Sequence, residues 1–135
     1  MEASKDMDRV IDVLMLAGTL LLESGSEIHR VEDTMIRIAH SQGIDDCNAL
    51  AMPVAIFFSI ENANITRMKR ILRTNYNIEK VCYVNQISRQ LVSGHINLEE
   101  AYQALIQLKQ KAVPYTNLQL TIAATLSAPF FSIMF

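Results

Sequence analysis

The stretch "NALAMPVAIFFSIENANITRMKRILR", residues 48–73, decides the fold. Its first half alternates. Leu50, Met52, Val54, Ile56, Phe58 and Ile60 fall on one side, and Ala49, Ala51, Pro53, Ala55, Phe57 and Ser59 on the other. A period of two is the mark of a strand, here with one large-residue face and one mostly small-residue face. Pro53 has no N–H to give to a ladder, so it marks an edge, a bulge or a break between two short strands. "ENAN", residues 61–64, reads as a turn. "ITRMKRILR", residues 65–73, returns as a second strand and completes a β-hairpin.

On either side of this hairpin the period lengthens to that of a helix. Before it, residues 5–23 carry Val10, Leu14, Ala17 and Leu21 at helical spacing, widened by Val13, Leu16 and Leu20. Gly25 breaks the pattern, and Ser24 with Glu27 has the form of a capping box. A second helix, residues 25–42, shows Ile28, Val31, Met35, Ile38 and Ala39 as its stripe, with Gly43 at its end. After the hairpin, Asn77 is placed to cap a helix with Ile78, Val81, Val84, Ile87 and Leu91 on one side and Gly94 after it. Asn97 and Glu100 open a fourth helix with Leu98, Ala101, Leu105 and Leu108 inward, and Pro114 follows it. The order α-α-β-β-α-α predicts an α+β fold, mainly helical, with the hairpin packed on helices.

Composition narrows the function classes. At 135 residues the chain is of single-domain size, and 50% hydrophobic content is enough for one core. A net charge of −2 argues against a nucleic-acid partner. All 26 charged residues lie between Glu2 and Lys111, and the 24 positions from Ala112 to Phe135 carry none. "NLQLTIAATLSAPFFSIMF", residues 117–135, is apolar on every side and slightly short of the roughly 20 residues that cross a bilayer. Lys109, Lys111 and Tyr115 flank it as a cytoplasmic anchor would. We therefore divide the chain into a cytoplasmic domain, 1–115, and the beginning of a membrane helix, 116–135, cut before its far end. A buried C-terminal core helix is the competing reading. No basic-then-apolar leader opens the chain.

Several residues are candidates for chemistry. Glu27 and Arg30 share a helix face, while Glu32 lies about 140° from Arg30 at roughly 100° per residue. Glu32 is thus expected to meet another element, Arg89 or a strand arginine. Glu27, Arg30 and Glu32 could bind substrate or relay protons; a cap and ion pairs orienting two helices explain them as well. Arg67, Lys69, Arg70 and Arg73 form a basic patch with Arg70 opposite the other three. The patch suits anionic lipid headgroups or an anionic substrate, and equally a solvated edge that resists aggregation. His29, His40 and His95 lack metal-ligand spacing, and we expect neither metal nor cofactor. Cys47 and Cys82 read as free thiols, although a single disulfide fits the count. Ser24, Ser26 and Ser59 sit in no nucleophile elbow, so an enzyme is not expected. The seven methionines read as core filler.

"LAGTLLLESGSEIHRVEDTMIRIAHSQG", residues 16–43, resembles the N-terminal domain of the threonine/serine exporter family. The resemblance rests on Gly18, Ser24, Gly25, Glu27, Arg30, Val31, Glu32, Asp33 and Gly43, taken in order. It continues through "NIEKVCYVNQISRQLVSGHINLEEAYQAL" to Tyr115, covering roughly residues 10–135. The resemblance implies a bacterial multi-pass cell-membrane protein that exports small amino acids or small carboxylates, coupled to the proton gradient. It implies partners too: the rest of its own membrane domain or a second small membrane subunit, in a homo- or hetero-oligomer. The alternatives from the residues alone are a self-contained α+β ligand-binding domain or weak hydrolase, or an interaction module that dimerises through its apolar surface.

Overall fold

A computed structural model describes residues 2–110, with side chains placed from Asp6 onward. The expectations for Pro114, Tyr115 and the apolar run 116–135 lie outside these residues. The order is α1 (Glu2–Glu23), α2 (Ile28–Ser41), β1 (Cys47–Met52), β2 (Ala55–Ile60), β3 (Ile65–Arg70), α3 (Ile78–Val92) and α4 (Leu98–Gln110). This is the α+β class expected from the sequence, with one strand more in its sheet.

The extra strand comes from Pro53. β1 pairs antiparallel with β2 in a register that sets Met52 opposite Ala55, so Pro53 and Val54 alone turn the chain. Proline suits a turn corner because its φ is already fixed and its missing N–H is not needed there. The turn also flips the parity of the alternation. Ala51 is paired with Ile56 and Ala49 with Phe58, so β1 turns its small residues inward and β2 its large ones. Leu50 and Met52, expected beside Ile56 and Phe58, instead stand 52% and 40% exposed on the outer face.

β2 is the central strand, paired to β3 across "ENAN". Asn64 closes that turn at φ 52°, a left-handed conformation that asparagine tolerates better than most residues. β3 ends at Arg70 rather than Arg73, and the Ile71 N–H goes to the Val54 carbonyl at 2.7 Å.

Helix ends explain where the helices stop. "SGSE" ends α1 instead of opening α2. Gly25 sits at φ 93°, with its N–H on Leu22 O and the Ser26 N–H on Leu21 O. These two bonds are a Schellman close, which requires a left-handed residue. The same pair of bonds recurs at Gly43 and Gly94. Ser24 is therefore taken up as the C-cap of α1, and the expected Ser24–Glu27 capping box does not form. Glu27 itself is the N-cap of α2, and no side-chain bond caps it. The other two caps form as read. The Asn77 side chain accepts from the Lys80 N–H at 3.0 Å. Asn97 and Glu100 exchange bonds of 2.8 and 2.9 Å. Asn97→Ala removes the bond from the Glu100 N–H to the Asn97 side chain and keeps the one its own N–H gives to Glu100, and thermal unfolding should show a loss of about 1 kcal/mol.

The core runs from Val10 to Leu108. α1 is its axis, touching α2, α3, α4 and β2. Its burial is accordingly wider than one stripe, with Ile11 and Leu22 enclosed as well as Leu14 and Leu21. Gly18 lies where a Cβ would come within 2.7 Å of Met35 Sδ and 3.3 Å of Ile56 Cδ1, so this glycine sets how closely α1 approaches α2 and β2. No described helix is long and apolar enough to cross a membrane.

Candidate functional site

The start of α2 carries the most candidate side chains. A cleft of about 430 Å³ opens there, lined by Ser24, Ser26, Glu27 and Arg30 on one side and Tyr76, Asn77 and Ile78 on the other. The loop before α3 is held against it by two backbone bonds, Asn75 N–H to Glu23 O at 2.7 Å and Asn77 N–H to Ser24 O at 3.1 Å. The Tyr76 ring lies so close over Gly25 that a Cβ there would clash with its Cδ1. Ser24, itself buried, lines this cleft, and its hydroxyl finds no partner among the described residues. At the rim, Glu27 Oε2 lies 3.3 Å from His29 Nε2, both well exposed. The first turn of α2 adds backbone N–H groups and the positive end of a helix dipole. Together these groups can receive a carboxylate near Arg30 and an ammonium near Glu27.

Glu32 is elsewhere. Its Oε2 accepts the backbone N–H of Ala51 at 2.8 Å, so its partner is β1 and not an arginine. α2 is thereby fastened to the sheet, a bond 19 residues long in sequence that no local pattern announces.

The basic patch divides. Arg67 and Lys69 face α1 across a cleft of about 400 Å³ that also holds Asp12, Glu23 and Lys109. Arg67 Nη2 reaches Asp8 Oδ1 at 3.3 Å. Arg73, beyond the end of β3, lines another hollow with Glu23, Ser24 and Lys80. Arg70 is exposed and in register with Ala55 on the outer face. The four cations thus do not form one surface, because strand alternation separates Arg70 and the strand ends before Arg73.

Other reactive groups are explained by structure. Cys47 and Cys82 are both free. Burial first, then the carboxylates of Asp45 and Asp46, push the Cys47 thiol up, which removes thiolate and makes it a poor nucleophile. A serine and a histidine do meet, Ser93 Oγ and His95 Nδ1 at 2.6 Å, a pair the sequence reading did not single out. Ser93 also bonds the Gln90 carbonyl at 3.2 Å, so the contact belongs to the close of α3. Among the described residues no group of three or more His, Cys, Asp or Glu side chains could hold a metal ion.

No curated protein and no solved structure matches this chain. A family model does, the one described as "Putative threonine/serine exporter", and it spans residues 12–135. That span runs without interruption through α1, the sheet, α4 and the uncharged run beyond it. On this match, which takes in most of its length, the chain belongs to the threonine/serine exporter family.

Proposed function

We propose that this chain is the cytoplasmic N-terminal domain of a bacterial membrane exporter of small amino acids, threonine and serine foremost, or of small carboxylates. Residues 1–115 form that domain, and residues 116–135 begin a membrane helix. The observation that carries the reading is the continuous family match over 12–135, which joins the folded part to the uncharged run. The domain governs substrate access, gating or assembly with its membrane partners.

Within it, Glu27 and Arg30 at the α2 cleft contact the solute, one offering a carboxylate and the other a guanidinium. Glu32 serves this site indirectly by holding β1 against α2. The test is efflux of labelled threonine and serine from cells with and without the full gene. Efflux should fall when the gene is removed; unchanged efflux removes these amino acids as cargo. Arg30→Ala should lower efflux about tenfold, the weight of one charge-assisted hydrogen bond. Arg30 is exposed, so the variant should keep its unfolding midpoint. Efflux equal to the parent's would remove Arg30 from the solute path.

A further inference from the structure

α2 and α3 pack side by side and leave a groove of about 480 Å³ between them. Its walls are two polar stripes at helical spacing: Arg30, Asp33 and Arg37 along α2, and Asn85, Ser88 and Arg89 along α3. Residues three and four apart share a helix face, so each stripe presents its polar groups together. Three of the chain's seven arginines meet here and none of its five lysines. Asp33 is taken by Arg37, Oδ2 to Nε at 3.0 Å. Arg30 and Arg89 then line the groove from opposite helices with no carboxylate partner among the described residues. Ser88, only 8% exposed, is a second and independent sign of a ligand. Its hydroxyl has no partner among the described residues, and the residue lines the groove.

We propose that this groove binds a small oxyanion carrying two charges, a phosphate or a dicarboxylate. A guanidinium presents parallel N–H groups that match two oxygens of such an ion, and one from each helix would clamp it; Arg30 borders both this groove and the α2 cleft, so it serves the oxyanion or the solute and not both at once. Ser88 and Asn85 supply neutral donors between them. The groove carries three positive charges against one negative in a chain whose net charge is −2, so the local field opposes the overall one. Such a ligand would bridge α2 to α3 and fix the helix that bears Glu27. The inference does not rest on the exporter reading, since it needs only the folded α2–α3 pair.

The test is the unfolding midpoint and the binding isotherm of the full chain in detergent micelles, titrated separately with inorganic phosphate and with succinate. Chloride at matched ionic strength is the reference. At least one oxyanion should raise the midpoint beyond chloride, and the rise should shrink as salt is added, because both arginines are exposed. Arg89→Ala should raise Kd about tenfold or more. Arg89→Lys should fall between, keeping the charge and losing the fork. Ser88→Ala should weaken binding without unfolding the chain. Arg70→Ala, on the outer face of the sheet, removes the same charge and should leave Kd unchanged. A response to phosphate alone or to succinate alone supports the site and identifies its ligand. A midpoint rise no larger than chloride's, or one equally reduced by Arg70→Ala and Arg89→Ala, overturns it.

Discussion

Phe58→Ala is expected to cost about 3–5 kcal/mol, read as the shift in a urea or thermal unfolding curve. Phe58 is fully buried in the central strand, between Ala49 of β1 and Arg67 of β3. It lies on the face that Ile56 and Ile60 also turn inward. The small side chain of Ala49 leaves it room, and truncation would leave a cavity that backbone-paired neighbours on both sides cannot close. Typical domains are stable by only about 5–15 kcal/mol, so one such loss approaches unfolding. Phe57 is the control. It differs by one position, stands half-buried on the outer face in register with Leu50 and Met68, and its truncation should cost far less. Strand register is all-or-none with respect to faces: a slip of one residue exchanges the two phenylalanines. If Phe57→Ala proved the costlier change, the sheet would have to face the other way.

That comparison shows where the sequence was readable. The helices announced themselves because their cause is local. Apolar spacing, Asn77, Asn97 with Glu100, and the glycines after α2 and α3 all act within a few residues of the structure they set. The α+β class followed from these and from the alternation before Ile60. The parity change at Pro53 did not follow, because an alternating string looks the same whether it runs straight on or folds back after two residues. Only pairing with a neighbour shows that Leu50 and Ile56 part company. "SGSE" was ambiguous in a similar way. Its serine and glutamate have cap spacing, yet the glycine between them serves the helix before rather than the one after, and one serine cannot do both.

The candidate site was legible as a list of residue types and not as a geometry. Glu27 and Arg30 stay together because Glu27 is the N-cap of the helix that carries Arg30 in its first turn, with the Arg30 N–H on the Glu27 carbonyl at 3.0 Å. The loop carrying Tyr76, which forms the opposite wall of their cleft, is nearly fifty residues away in sequence. Ser88 and Asn85 gave no signal, since single polar residues on a helix are usually solvated. They acquire meaning only from the arginines of α2 across the groove.

Glu32→Ala should cost about 1–3 kcal/mol, and its conservative partner Glu32→Gln well under half of that. The reason lies in β1, an edge strand whose Ala51 N–H points away from β2 and toward α2. Ala51 is only 4% exposed, so water cannot readily replace the carboxylate oxygen 2.8 Å away. Alanine at position 32 leaves that buried donor without a partner, whereas glutamine retains an oxygen on the same reach and loses only the charge. Amide hydrogen exchange at Ala51 reads this bond directly: it should speed up strongly in the alanine variant and little in the glutamine one. The same pair separates two roles for Glu32. A carboxylate that fastens α2 to the sheet should allow glutamine to restore both stability and threonine efflux. A carboxylate that takes up a proton or an ammonium during export should leave the glutamine variant stable and without efflux. Only the first outcome agrees with Glu32 as the fastening of the helix that carries Glu27 and Arg30.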